Sequence, residues 1–353
     1  MKKVSLFFAM MLAVSFVMAQ NTETTTQTGD KQEAYVTQVG SSSSVVTQST
    51  DDNYAQKATI NQNGAANIAN INQIETGTGT NQSVFASTSI VTQSGGGNIA
   101  DVDVFETGGG NKGLLKTTLT QTGTGNSGIQ YLNAPGSSSG QTVVAVQNGT
   151  SNISTQTTNG GYTQSYQVDQ IGASNTATQT GHGDVYTDAR IKQNGSNNTG
   201  TQDIYGSNNG YSGSVVSIDQ LGSDNTAIQS FTGSGSSHQN NGVITQVGSW
   251  NEATQTANGR SLNLQITQTN DNNTATQTVS GDNYGLVPAR GLIKITQTGE
   301  ENMATQTASG NGIIGTILQV GDLNTASMSQ TGNMHTATST QTGDWNTATV
   351  IQQ

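Results

Sequence analysis

The sequence predicts an all-β chain, a β-solenoid of stacked strand-arc-strand repeats with two strands per turn and a cross-β, amyloid-like arrangement. Three observations carry that prediction. A frame Q-x-G-x-x-N-x-A-x-Q recurs along the chain, an aliphatic residue keeps a fixed place two positions before its first Gln, and in the tidy stretches successive frames start 22 or 23 residues apart.

The elements follow in chain order. Lys2 and Lys3, the apolar stretch Leu6 to Val17 and the small-residue site Val17-Met18-Ala19 before Gln20 read as a secretory signal peptide over residues 1–19. The apolar run is shorter than the roughly 20 residues a bilayer requires, and no later segment is more apolar, so membrane insertion is not expected. Residues 20–26 form a short N-terminal segment, and 27–353 the repeat domain. After cleavage 9 Lys and Arg face 22 Asp and Glu, a net charge of −13, which argues against binding nucleic acid through its phosphates. Cysteine is absent, so disulfides stabilise nothing. Leu, Ile, Val and Phe supply only 64 of 353 residues, below the fifth or so that an ordinary globular core uses.

Each repeat opens with a strand. Thirteen glutamines stand five residues before Asn and seven before Ala, Gly or Ser: Gln48, Gln62, Gln93, Gln121, Gln147, Gln170, Gln193, Gln220, Gln246, Gln268, Gln297, Gln319 and Gln341. Eleven have an aliphatic residue two positions earlier, such as Ile191, Ile218 and Ile244, and a spacing of two is a strand with one inward face. An arc follows. Gly stands two places after eleven of the thirteen, Gly172 among them, and permits backbone angles other residues resist, while the Asn tolerates turn geometry. The second strand resumes the spacing of two: Asn175, Ala177 and Gln179 share one face, and Thr176, Thr178 and Thr180 the other. The return to the next repeat varies in length. Extra residues at 206–213, 233–242 and 281–291, with Pro288, fall there and are expected to project from one side of the rod.

Stacked turns align equivalent residues, so the inward amides are expected to form hydrogen-bonded ladders: Gln62/Asn67, Gln170/Asn175/Gln179, Gln220/Asn225, Gln246/Asn251, Gln268/Asn273, Gln297/Asn302, Gln319/Asn324 and Gln341/Asn346. The inward pattern runs through Ala348, Val350 and Gln352 to the C-terminus without a polar cap. An open strand of this kind predicts a polymerising edge and a head-to-tail homopolymer.

The frame, the aliphatic residues before Gln and the 22-residue period behind a signal peptide resemble the curlin repeats of curli subunits, over roughly Gln27 to Gln353. The resemblance implies a secreted subunit that self-assembles into extracellular amyloid fibres of a biofilm matrix. It further implies roles in adhesion and aggregation, an outer-membrane secretion channel and a nucleator subunit as partners. The family's second Gln stands eleven residues after the first, as Gln73, Gln330, Gln341 and Gln352 do, whereas the central units place it at nine, as at Gln130, Gln156 and Gln179.

Enzyme chemistry has little to stand on. His182, His238 and His335 read as isolated, Asp51-Asp52 and Glu300-Glu301 as solvated arc residues, and the glycines at 108–110 lack the Lys of a phosphate loop. No cofactor is expected. Trp250 and Trp345 occupy one place, just before the arc Asn, and are read as tolerated exposed corners. The outward rows Thr176/Thr178/Thr180, Thr274/Thr276/Thr278, Thr305/Thr307 and Thr347/Thr349 support an alternative, a Thr-faced ice-binding solenoid.

Overall fold

The computed structural model describes residues 20–29, 32–50, 55–76, 87–107, 114–135, 140–160, 164–183, 187–205, 214–232, 241–260, 262–282 and 292–353. Among them lie 27 strands, numbered β1 to β27 in chain order, and no helix. Odd strands form one parallel sheet of 14 and even strands a second of 13. Each strand therefore pairs with the strand two places on, and every arc carries the chain from one sheet to the other: the all-β solenoid that the repeat spacing predicts. At roughly 4.8 Å per step the 14-stranded sheet is about 60 Å tall.

Burial alternates as the period of two requires. In β13 (Thr176–His182) Ala177, Gln179 and Gly181 are buried and the residues between them half-exposed. The core is a strip between the sheets. Ile60, Val91, Leu119, Val168, Ile191, Ile218, Ile244, Ile266, Ile295 and Ile317 of the even strands are all sealed from solvent. Small residues of the odd strands face them. A Cβ on Gly200, which stands in the column of Ala177, would lie 2.9 Å from Ile191 Cγ2. Large against small at one layer's width explains how so few aliphatics suffice.

The arc geometry corrects one expectation. The arc Asn is an inward, buried residue, and the left-handed turn falls one place earlier, at Ala66, Ser151, Ser174, Asn197, Asp224, Trp250, Glu301 and Trp345, with φ between 54° and 62°. Asn is selected for its amide rather than for turn tolerance. Gly172 is required twice over: its φ is 116°, and a Cβ there would meet Gly195 O at 1.9 Å. The swollen returns also need adjustment. Gly242 belongs to β18 (Asn241–Ser249) and Gly281 to β21 (Thr274–Asp282), because both pair in register with their neighbours. Residues 206–213, 233–240 and 283–291, including Pro288, lie outside the described residues, as do 1–19, His238, Asp51-Asp52 and the glycines at 108–110.

Candidate assembly edges and amide ladders

Register fixes the amides before any functional argument begins. Along the even strands thirteen glutamines, from Gln38 through Gln62, Gln170, Gln220, Gln246, Gln268, Gln297 and Gln319 to Gln341, form one unbroken column. Each Nε2 donates to the Oε1 of the next glutamine at 2.8–2.9 Å, as in Gln38 to Gln62, Gln170 to Gln193 and Gln319 to Gln341. The arc asparagines form a second column, Asn67, Asn98, Asn126, Asn152, Asn175, Asn198, Asn225, Asn251, Asn273, Asn302, Asn324 and Asn346. It runs the opposite way: the backbone N–H and Nδ2 of Asn175 both donate to Asn152 Oδ1, at 3.1 and 3.0 Å. Both columns are polar wires with a donor end and an acceptor end. In the low-dielectric strip each bond matters because an unmade one leaves a buried amide orphaned.

The odd strands carry a segmented column. Gln27, Gln48 and Gln73 form its first piece, at 2.7 and 2.8 Å. Gln73 then aligns with Val104, and a new run from Gln130 through Gln156, Gln179, Gln202, Gln229, Gln255 and Gln277 to Gln306 occupies the column two residues nearer the arc. That run ends on Met328, whose Sδ lies 3.4 Å from Gln306 Nε2. Gln330 and Gln352 then return to the first column, at 2.9 Å. The change between eleven- and nine-residue spacing is thus a sideways step of the amide wire within one sheet.

Two predicted sites need correction. Gln48 does not open a repeat: it lies in β3 (Ser43–Thr50), between Gln27 and Gln73. The first-strand place in that turn belongs to Gln38 of β2 (Gln32–Val39). Its arc is one residue shorter, so Ser42 fills the Asn place and donates through its backbone N–H to Asn21 Oδ1 at 3.1 Å. A search for Asn at a spacing of five misses both Gln38 and Asn21. His182 is not isolated either. Its Nε2 lies 2.9 Å from Asp203 Oδ1 and its ring stacks on Tyr205 at 3.9 Å, because residues one turn apart meet across the ladder.

Among the described residues no strand covers either end of the rod. At one end β27 (Thr347–Gln352) leaves Ala348, Val350 and Gln352 half-buried, with Val350 against the core, and the Gln352 amide donates to Thr336 O at 3.0 Å. At the other, β1 (Thr22–Thr28) is exposed along its length and β2 is half-covered. The wires match across these ends. The even-strand glutamines finish with a donor at Gln341 and begin with an acceptor at Gln38, and the asparagines finish with an acceptor at Asn346.

The outer faces carry little that points to chemistry. The Thr row through Thr155, Thr178, Thr201, Thr254 and Thr276 is interrupted by Ile228, and that through Thr157, Thr180, Thr256 and Thr278 by Asp203 and Ser230, so no regular ice-like array forms. Trp250 and Trp345 are exposed corners. No group of three His, Asp or Glu side chains placed to hold a metal occurs among the described residues. On β7 (Ile99–Thr107), burial holds the Asp101 carboxyl above the usual carboxylate range; Asp103 adds to this and a hydrogen bond with Asn70 opposes it.

A family model described as the curlin associated repeat matches residues 315–343. That stretch holds all but the first residue of β24 (Ile314–Val320), then β25 (Thr325–Thr331) and β26 (Thr336–Thr342), with Gln319, Gln330 and Gln341 at the spacing of eleven. A search of curated proteins finds no match to the chain.

Proposed function

We propose that this chain is a secreted structural subunit that stacks head to tail into extracellular, curli-like cross-β fibres, serving matrix cohesion, cell adhesion and aggregation. One observation carries the reading: two open sheet ends whose amide wires are complementary in polarity, donor against acceptor. The all-β solenoid and the curlin repeat at residues 315–343 support it. A copy added at the C-terminal end gives Gln341 Nε2 an acceptor, Asn346 Oδ1 a donor and the half-buried Val350 a cover. Ladders of this kind extend without limit because each new layer presents the same edge. The curlin resemblance adds a leader over residues 1–19 that directs export, an outer-membrane secretion channel and a nucleator subunit as partners. On this reading the protein is not an enzyme, and its product is the filament.

Electron microscopy and fibre diffraction of purified residues 20–353 test the reading. Unbranched fibrils with a meridional reflection near 4.8 Å are expected. A chain that remains a soluble monomer after prolonged incubation, with no such reflection, overturns it.

A further inference from the structure

This inference rests on the head-to-tail reading and concerns how two copies meet. Among the described residues the strand number is odd, 14 in one sheet and 13 in the other. Strands alternate between sheets, so successive strands differ in height by half a step, about 2.4 Å. If β27 of one copy pairs with β1 of the next, β26 and β2 stand about 9.6 Å apart and the even sheet lacks one strand at every junction. If β26 pairs with β2 instead, β27 and β1 claim the same place. Simple stacking therefore leaves either a gap or a collision.

We propose that β27 of one copy displaces β1 of the next and pairs with that copy's β3, while β26 pairs with its β2. The seam is then continuous in both sheets. Three observations favour β1 as the strand that leaves. It is exposed along its whole length. Its inward places hold Glu23, Thr25 and Gln27, in register with Ser44, Val46 and Gln48 of β3. Column by column β27 offers Ala348 for Glu23, Val350 for Thr25 and Gln352 for Gln27, since Ala348, Val350 and Gln352 pair with Ala326, Met328 and Gln330 below them. Covering Glu23 with another layer would strip water from a carboxylate, whereas Ala348 belongs to the column of Ala69, Ala100 and Ala177. Thirdly, the exchanged strand keeps the bonds that β1 makes. Asn346 immediately precedes β27 as Asn21 precedes β1, so its Oδ1 takes the Ser42 N–H, and Gln352 Nε2 replaces Gln27 Nε2 at Gln48 Oε1.

Cysteine cross-linking separates the two seams, because the chain has no cysteine of its own. Thr24, Val45 and Thr349 all point outward, and Thr24 pairs with Val45. In the exchanged seam Thr349 of one copy lies one step from Val45 of the next; in simple stacking it lies one step from Thr24 and two from Val45, beyond the roughly 7 Å Cα reach of a disulfide. Fibres co-assembled from Thr349→Cys and Val45→Cys chains are expected to give disulfide dimers on oxidation, and those from Thr349→Cys and Thr24→Cys chains none. Fibres that give only the second dimer, or neither, overturn the exchange while leaving the fibre reading intact. Failure of the unmodified chain to form fibres overturns both. As a second readout, Glu23→Ala with Thr25→Val strengthens the hold of β1 and is expected to slow elongation roughly tenfold, the effect of about 1.4 kcal/mol. Unchanged or faster elongation overturns the displacement.

Discussion

At the residue scale the molecule is governed by what a buried amide can do that other side chains cannot. Asn175 accepts from Asn198 and donates to Asn152 Oδ1 at 3.0 Å and to Gly195 O at 2.9 Å. Asn175→Asp keeps the acceptor and turns both donations into contacts between oxygens, with a charge added in the sealed strip. The variant is expected to lose about 3 kcal/mol at pH 7. The substituted carboxyl has its pKa raised on folding, so the charge-dependent part of the loss is absent below the unfolded value of about 3.9 and grows as pH rises through the folded one. Urea midpoints at pH 3 and pH 7 check this, and equal losses at both would refute it. Asp101 shows the same sign in the native chain. Its carboxyl is raised by burial first and by Asp103 second, so the folded state holds the proton more firmly than the unfolded state. Asp101 therefore costs stability above its folded pKa, and the cost fades as pH falls through it. Asp101→Asn is expected to raise the melting temperature at pH 7 more than at pH 4, measured by thermal melts at the two values.

At the element scale, a strand's place in an amide wire decides what its glutamine is worth. A directed column must begin with an acceptor that nothing feeds, and Gln130 Oε1 and Gln330 Oε1 are buried without a hydrogen-bond partner for that reason. Gln130→Leu only moves the unfed acceptor up to Gln156. Gln229→Leu, inside the same column, makes a new one at Gln255 and removes one acceptor of Gln202, whose amide keeps Arg190 O and Val216 O. The interior change is expected to cost about 1–3 kcal/mol more than the change at the column start, read as the difference in urea midpoints. Equal costs would mean that the ladder adds nothing beyond packing. These columns were largely legible in the sequence, because a solenoid repeats its side chains at the spacing of its turns, and from Gln62 to Gln341 Gln and Asn kept theirs in every frame and Gly in all but the one with Asn270. Three features were not legible, each for a physical reason. The shorter arc after Gln38 moved Ser42 into the Asn place and hid the first turn. The left-handed residue lies beside the Asn and accepts Ala, Ser, Asp, Glu or Trp, so it leaves no residue signature. The contact of His182 with Asp203 joins residues 21 apart, which are neighbours only once the register is known.

At the scale of the whole molecule, an aliphatic content below that of an ordinary globular core becomes a requirement of the architecture. A strip one side chain wide is filled by alternating Ile and Ala between amide wires, and its length rather than its width supplies the buried area. The consequence falls on the ends, since among the described strands every interior layer is covered on both sides and only β1, β2, β26 and β27 are not. Assembly is therefore expected to be controlled by a few terminal residues that contribute little to the stability of the isolated rod. Val350→Pro removes a backbone donor in β27 and adds a ring that obstructs pairing on either side of the strand. Because β27 covers one layer on one side only, the variant monomer is expected to melt within a few degrees of the native chain while fibre elongation, followed by light scattering or dye fluorescence, is lost. The same proline placed in mid-rod, Thr178→Pro in β13, breaks a ladder with neighbours on both sides and is expected to lower the melting temperature itself. If Val350→Pro elongates at the native rate, the C-terminal edge is not where copies join, and the complementary wire ends have no part in growth.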